Sequence, residues 1–266
     1  MTGILLAATG LTRRYPQPRP GPLARRPVRT VLDDVDLTVS AGDRVGVVGA
    51  SGAGKSTLLR LLLAVEAPDA GELRFRGRPV HPGPAGRLRW FRRQVQYVPQ
   101  DPYGSLSPRL TVADIIREPL TCLAVPGDHD SRVDEVLTAV RLDTALRTRR
   151  PGELSGGQRQ RVAIARALAP APAVLVADEP VSALDPPVRV AVLDLLRDLS
   201  TATGAALVLV AHDLPAVRRA CARAMVLHDG RVAEAGGVRQ IFDEPRTAAT
   251  RALLAAVPRL PVAAAR

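Results

Sequence analysis

Cysteine is scarce in this 266-residue chain, and long apolar runs are absent. Only Cys122 and Cys221 occur, far apart and without CxxC spacing, which excludes a disulfide framework and a thiolate-based zinc or iron–sulfur site. We expect both cysteines to be buried as small apolar residues. No apolar run approaches the ~18–20 residues needed to cross a bilayer, and residues 4–8 lack the flanks of a secretory signal. These absences favour a globular protein of the cytoplasm.

Lysine occurs once, asparagine does not occur, and aromatic residues make up 3% of the chain. Arginine therefore carries the formal net charge of +11, and with abundant alanine and proline it indicates a GC-rich genome. A solvated surface explains this charge. Contact with a membrane or an acidic partner is the second interpretation, and no motif supports binding of nucleic acid. The single lysine, Lys55, is the exception.

Short apolar runs bounded by turn residues predict a parallel sheet that is buried on both faces. The runs lie at residues 45–48, 174–177 and 207–211, and a further strand is expected near residues 95–98. Helical patterns lie at residues 55–65, 156–169, 188–200 and 215–222. This alternation predicts an α/β fold. The pair Asp229-Gly230, between residues 224–228 and 231–235, predicts a type I′ hairpin that adds an antiparallel edge.

Two segments interrupt the alternation. Residues 13–30 are dense in proline and arginine and predict an extended surface loop, with a partner contact as the second interpretation. Residues 102–152 contain helical patterns and no convincing strand, which predicts a helical lobe inserted between strands. Trp90 and Phe91 lie in a basic stretch, and we expect them to pack over a sheet rather than to contact a membrane.

The most specific motif is a glycine-rich loop. Residues 49–57 satisfy the pattern G-x-x-x-x-G-K-S/T after a predicted strand and at the start of a predicted helix. The glycines let the backbone wrap an anion, and the helix N-terminus presents positive charge to phosphates. Lys55 supplies a compact ammonium that a rigid guanidinium does not replace, and Ser56 is expected to coordinate magnesium. The residues predicted to bind Mg-ATP are Gly49, Ser51, Gly52, Gly54, Lys55, Ser56 and Thr57.

Two carboxylates, Asp178 and Glu179, follow the strand predicted at residues 174–177. Ligands of open α/β sheets bind at the carboxyl ends of strands, so we expect this pair beside the phosphates. Asp178 is expected to hold magnesium. Glu179, pointing the other way along an extended backbone, is expected to polarise the attacking water as general base.

A second anion site is predicted at Leu154-Ser155-Gly156-Gly157-Gln158. Ser155 is an expected N-cap, the glycines leave backbone N–H groups uncovered, and the helix that follows directs its dipole at the site. One nucleotide needs one cradle for its γ phosphate. We therefore expect the second cradle to serve the nucleotide of a neighbouring chain, with an ordinary helix cap as the alternative.

Together with Gln100, Ser182-Ala183-Leu184-Asp185 and His212, these motifs resemble the ATP-binding subunits of ABC transporters over about residues 5–242. The resemblance implies an ABC ATPase cassette, which has a P-loop NTPase (RecA-type) core, an antiparallel β subdomain and an inserted α-helical lobe. The implied single domain, residues 1–242, has its core at about 1–99 and 156–242 and its lobe at about 100–155.

The resemblance also implies roles for individual residues. Tyr15 is implied to stack on the adenine base, and Gln100 to contact magnesium and the attacking water. His212 is implied to hydrogen-bond the γ phosphate and to orient Glu179. The residues implied to cap the ATP held by the other chain are Ser155, Gly156, Gly157, Gln158 and Asp185.

A finer resemblance connects residues 92–109 and the tail at 243–266 with the dipeptide, oligopeptide and nickel importer subfamily. It implies a peripheral ATPase on the cytoplasmic face of the cell membrane that energises solute import through integral membrane ABC subunits. A second ATP-binding subunit, identical or related, would complete a head-to-tail dimer, and an extracytoplasmic solute-binding protein would take part indirectly. The alternatives are the ATPase of an export or lipoprotein-release complex and a soluble non-transport ABC ATPase.

Overall fold

The computed structural model describes residues 3–19 and 26–256. The strands in these segments are β1 (Ile4–Pro16), β2 (Val28–Ser40), β3 (Arg44–Val48), β4 (Ala70–Phe75), β5 (Arg78–Pro79), β6 (Val95–Val98), β7 (Val174–Asp178), β8 (Ala206–Ala211), β9 (Arg223–His228) and β10 (Arg231–Gly237). The α-helices are α1 (Lys55–Leu62), α2 (Ala85–Gln94), α3 (Pro102–Ser105), α4 (Val112–Cys122), α5 (His129–Ala139), α6 (Gly156–Leu168), α7 (Pro186–Thr203), α8 (Leu214–Ala220), α9 (Val238–Asp243) and α10 (Ala248–Ala255).

The larger sheet has the strand order β10-β9-β3-β8-β7-β6. Its neighbouring strands are parallel, except that β10 is antiparallel to β9. The register aligns Val48 with Ala211 and Val98 with Ala177, so the carboxyl ends of β3, β8, β6 and β7 meet at one edge. The predicted α/β fold, with a parallel sheet and an antiparallel edge, is confirmed.

The central strand β8 shows how this sheet is buried on both faces. All its residues are buried, and they alternate between two hydrophobic clusters. Leu207, Leu209 and Ala211 join the cluster that contains α4, α6 and α7, and Ala206, Val208 and Val210 join the cluster that contains α1 and the smaller sheet. Both faces of the pleat are therefore apolar, which explains the continuous apolar run in the sequence.

The smaller sheet corrects the prediction for residues 13–30. Its order is β2-β1-β4-β5, with antiparallel pairs. Because β1 continues through Pro16 and β2 starts at Val28, both ends of the expected loop are paired strand. Pro16 is tolerated because β1 beyond Thr12 pairs with β2 alone, so the missing N–H interrupts no second ladder. Residues 20–25 lie outside the described segments.

The chain between β6 and β7 is helical, as expected for residues 102–152. It contains α3 to α6 and two short 3₁₀ helices, Thr144–Thr148 and Pro151–Glu153, and the described chain has no strand there. Thr111 caps α4 through reciprocal hydrogen bonds with Asp114. The boundaries of a core and a separate lobe stay a prediction. No helix in the described segments combines the length and the apolar character that crossing a bilayer requires.

The prediction that both cysteines are buried is correct for Cys221 and wrong for Cys122. Cys221 is buried, and this burial raises the pKa of its thiol to about 12. Cys122 is exposed at the end of α4. The buried residues of this helix include Val112, Ile115 and Leu120, whereas Cys122 is its last residue and lines an open groove.

Trp90 and Phe91 pack as expected. The ring of buried Phe91 meets that of Phe75 edge-on, with 5.8 Å between the ring centroids. The Arg78 guanidinium lies 4.0 Å from the Trp90 centroid, so an arginine covers the outer face of this aromatic group.

The C-terminal helix α10 is anchored to β10 by a carboxylate. Glu234 accepts hydrogen bonds from the N–H groups of Arg246 and Thr247, each at 3.2 Å. Thr247 in turn accepts from the N–H of Thr250 and caps the helix. The part of the expected tail at residues 257–266 lies outside the described segments.

Candidate active site

The loop between β3 and α1 has a backbone that requires glycine. Gly52 and Gly54 have φ angles of 79° and 105°. A Cβ on Gly54 would lie 2.8 Å from the Val31 carbonyl oxygen, and one on Gly49 would lie 2.4 Å from the Leu227 carbonyl oxygen. The loop is therefore packed closely against β2 and β9. It leads directly into the N-terminus of α1, where backbone N–H groups have no partner within the helix.

Lys55 is the first residue of α1, and its side chain turns back over the loop. Its Nζ donates hydrogen bonds to the carbonyl oxygens of Gly49 at 2.6 Å and Ala50 at 3.0 Å. Burial lowers the pKa of this ammonium, while the charges of Glu179 and Asp178 oppose that shift. The only lysine of the chain is thus hydrogen-bonded to the loop backbone and is influenced by the charges of two carboxylates.

An open cleft of about 460 Å³ lies over the loop. It is lined by Arg29, Val31, Ser51, Gly52, Gly54, Lys55, Ser56, Thr57, Glu179 and His212. The structure therefore brings the predicted loop residues together with Glu179 and His212, which are remote in sequence. Gly49 is buried at the base of the loop.

Arg29 and Val31 are cleft residues that the sequence analysis missed. They lie two positions apart on β2, so their side chains are on the same face of the strand. Recognition of this strand in the sequence would have placed them together. Tyr15 pairs with Arg29 across the β1–β2 hairpin but does not line the cleft. Its hydroxyl donates to Glu66 Oε2 at 2.6 Å, and the Arg13 guanidinium lies 4.9 Å from its ring centroid. Stacking of Tyr15 on an adenine stays a prediction.

Asp178, the last residue of β7, is held by a residue of the neighbouring strand. Its Oδ2 accepts a hydrogen bond from the Tyr97 hydroxyl at 3.2 Å. Burial raises the pKa of Asp178, and the Tyr97 hydrogen bond opposes this shift. Burial and the adjacent Asp178 charge raise the pKa of Tyr97 to about 12, so its hydroxyl remains a donor at neutral pH. Sequence motifs located Asp178 but gave no sign of this contact between strands.

Glu179 joins the ends of three strands through one carboxylate oxygen. Its Oε2 accepts a hydrogen bond from Gln100 Nε2 at 3.1 Å and lies 3.0 Å from His212 Nδ1. The sequence predicts an extended backbone at Glu179. This prediction is wrong, because the φ angle of Glu179 is 41°. The chain turns out of the sheet after Asp178 while the Glu179 N–H still donates to the Val210 carbonyl oxygen at 2.8 Å. This turn brings Gln100, Glu179 and His212 together, as predicted.

The residues at 155–158 lie at a second cleft. Ser155 Oγ accepts from the Gln158 N–H at 3.3 Å, and Gln158 Oε1 accepts from the Ser155 N–H at 2.9 Å, which caps α6. Ser155, Gly157 and Gln158 line this open cleft of about 510 Å³, which shares no residue with the cleft over Lys55. Gly156 starts α6, and exposed Asp185 precedes α7 without a side-chain hydrogen bond to any described residue. One chain therefore does not bring these residues to Lys55.

The donors near Lys55 fit a magnesium ion that binds together with a nucleotide. Mg²⁺ usually takes one or two carboxylates and completes its shell with phosphates and water. Asp178 has a second carboxylate oxygen besides the one bonded to Tyr97, and the Ser56 hydroxyl belongs to the lining of the cleft. Residues 3–19 and 26–256 contain no group of three or more His, Cys, Asp and Glu side chains that would form a protein-only metal cage.

A glycine-rich phosphate loop between a buried strand and a helix, with carboxylates at the end of a parallel strand, defines a P-loop nucleoside triphosphatase. The family model described as ABC transporter matches residues 32–182, from β2 to the turn that follows β7. The chain belongs to the ABC transporter family.

Relatives and solved structures agree with this assignment. The chain is 45% identical over 243 residues to the nickel import ATP-binding protein NikE of Rhodospirillum rubrum, covering 89% of this chain and 87% of that protein. It is 43% identical over 261 residues to the dipeptide transport ATP-binding protein DppF of Escherichia coli, and the match covers 96% of this chain and 77% of that protein. A dimeric ATP-binding cassette, solved in a post-hydrolysis state with ADP and Pi, is 30% identical to this chain, with a TM-score of 0.76. The match covers 88% of this chain and 99% of that one.

The substitution Lys55→Arg tests whether the loop requires a compact ammonium. The carbonyl oxygens of Gly49 and Ala50 enclose Nζ at short distances, which leaves little room for a planar guanidinium. We expect the affinity for a fluorescent ATP analogue to fall at least about tenfold, or ~1.4 kcal/mol.

The matched control is Arg60→Lys on the exposed side of the same helix, which should bind the analogue normally. Unaltered affinity in the Lys55→Arg chain would contradict the role given to the single lysine.

Proposed function

We propose that this chain is the ATP-hydrolysing subunit of an importer and that it energises solute uptake through membrane-spanning partners. The observation that carries the hydrolytic role is the placement of Glu179 Oε2 between Gln100 and His212, in the cleft that also contains Lys55. Two relatives, a nickel import protein and a dipeptide transport protein, support import and suggest nickel or a peptide as the solute.

The cleft residues account for the reaction as follows. The loop N–H groups, Lys55 and the N-terminus of α1 bind the phosphates and balance their charge. A water oxygen attacks the γ phosphorus while the bond to the oxygen that bridges to the β phosphate breaks, which yields ADP and phosphate. Glu179 accepts a proton from that water, and His212 orients the Glu179 carboxylate and hydrogen-bonds the γ phosphate.

Three residues would hold magnesium: Ser56, Asp178 and Gln100. When bound, the ion neutralises phosphate charge and favours departure of ADP. Gln100 also contacts the attacking water, and since it follows β6 and precedes α3, it connects the reaction centre to the helical segment.

A second chain completes the site. Ser155, Gly157 and Gln158 line a cleft separate from that of Lys55, so we assign them, with Gly156 and Asp185, to the nucleotide of a partner cassette. The solved cassette that holds ADP and Pi is a dimer, which supports this arrangement. The partner is a second copy or a related chain, placed head to tail so that each phosphate loop faces the other chain's 155–158 segment.

The membrane-spanning partner is proposed to dock near Gln100. A groove of about 400 Å³ separates α2 and β6 from α4 and α6, with lining residues that include Arg92, Glu118, Pro119 and Arg166. The groove residue Arg166 donates a hydrogen bond to the Ser105 carbonyl oxygen at 2.6 Å, so residues 100–109 adjoin the groove. Together they offer charged and apolar contacts close to Gln100. The chain is then peripheral on the cytoplasmic face of the membrane, and an extracytoplasmic solute-binding protein acts through the membrane subunits.

Glu179→Gln tests the proposed general base. The amide preserves size but accepts no proton, so turnover in the assembled complex should fall about 10²–10⁴-fold while ATP binding is retained. Phosphate release and analogue titration measure the two quantities. Glu135→Gln, at an exposed position of α5, is the matched control and should hydrolyse ATP normally. A normal rate in the Glu179→Gln chain would refute the assignment.

Affinity purification from membranes tests the importer assignment. We expect integral membrane subunits and a second ATP-binding chain to accompany this protein. In liposomes, its ATPase activity should rise when a solute-binding protein loaded with peptide or nickel is added. Recovery of a partnerless protein would favour a soluble ATPase, and activity that responds only to a solute from the cytoplasmic side would favour export.

A further inference from the structure

We propose that Tyr97 is a positioning residue for Asp178, and that its hydroxyl holds this carboxylate in the orientation that receives magnesium. The inference rests on the proposed function, because it takes Asp178 as a magnesium ligand. It adds a residue to which the sequence analysis gave no individual role: Tyr97 lies in β6, the strand that leads to Gln100.

The contact follows from the register of two parallel strands. Tyr97 is aligned with Val176, and Asp178 lies two residues further along β7, on the same face of the sheet. This diagonal places the Tyr97 hydroxyl 3.2 Å from Asp178 Oδ2. Among the described residues, no other group hydrogen-bonds to the Asp178 side chain. One carboxylate oxygen is thereby fixed, and the second is left to a cation.

The packing of the Tyr97 ring does not require the hydroxyl group. The half-buried ring packs with Leu63 against the cluster that contains α1 and the smaller sheet, and it also forms part of the wall of the groove beside α4. A phenylalanine ring would make the same apolar contacts. The hydroxyl adds one interaction, the hydrogen bond to Asp178, so its removal isolates the proposed role.

Outer-shell partners that orient a ligand typically contribute about 10- to 100-fold to metal affinity or activity. Without the Tyr97 hydroxyl, Asp178 keeps its charge and its place at the end of β7 but loses the bond that fixes its rotation. We therefore expect the metal-dependent part of nucleotide binding to weaken, while contacts of the loop with phosphates persist.

The experiment compares the affinity of a fluorescent ATP analogue in excess Mg²⁺ with its affinity in EDTA. For Tyr97→Phe we expect unchanged affinity in EDTA and about tenfold weaker affinity in Mg²⁺. The matched control is Tyr103→Phe, which removes an exposed hydroxyl that hydrogen-bonds to no described residue, and it should change neither value. Equal affinities of Tyr97→Phe and the unmodified chain in Mg²⁺, or equal weakening in both conditions, would overturn the inference.

Asp178→Asn separates this inference from the proposed function. If Asp178→Asn weakens binding in Mg²⁺ while Tyr97→Phe does not, magnesium binding by Asp178 stands and the positioning role of Tyr97 falls. If Asp178→Asn leaves binding in Mg²⁺ unchanged, the magnesium assignment itself is wrong.

Discussion

The parallel register of β3, β8, β7 and β6 is the constraint on which the site depends. Because Val48 is aligned with Ala211 and Ala177 with Val98, the segments that follow these strands emerge side by side. Those segments carry the phosphate loop, His212, Glu179 and Gln100, and Asp178 is the last residue of β7. A shift of one residue would reverse the faces of a buried strand, so the hydrophobic clusters on both sides of the sheet also maintain the geometry of the cleft.

In the proposed mechanism, this geometry makes the chain an incomplete catalyst by itself. Lys55, Glu179 and His212 share one cleft, whereas Ser155, Gly157 and Gln158 line another. In the proposed mechanism, binding of a nucleotide needs only the first cleft, whereas hydrolysis needs both clefts, from two chains. This requirement ties the reaction to the relative position of the cassettes and hence to the membrane partners.

Local motifs predicted what local backbone determines. Residues 49–57 form the expected loop because glycine spacing and the following helix are properties of adjacent residues, and the apolar runs predicted the parallel sheet. Contacts between strands that are distant in sequence were not predictable in the same way. The hydrogen bond from Tyr97 to Asp178 and the place of Arg29 in the cleft depend on the register of strand pairing. Proline in residues 13–30 indicated a loop, but Pro16 sits where β1 has one neighbour and pairing continues. Likewise, no sequence motif predicted the positive φ angle at Glu179.

The substitution Ser155→Asp tests whether two chains share each site. Aspartate caps helices as well as serine does, so α6 should remain intact, but its charge would repel a γ phosphate presented by the other chain. If two chains share each site, we expect unchanged binding of ATP to the isolated chain and loss of most ATPase activity in the assembled complex. Loss of ATP binding in the isolated chain, or unchanged activity in the complex, would show that Ser155 does not act on the nucleotide of the other chain.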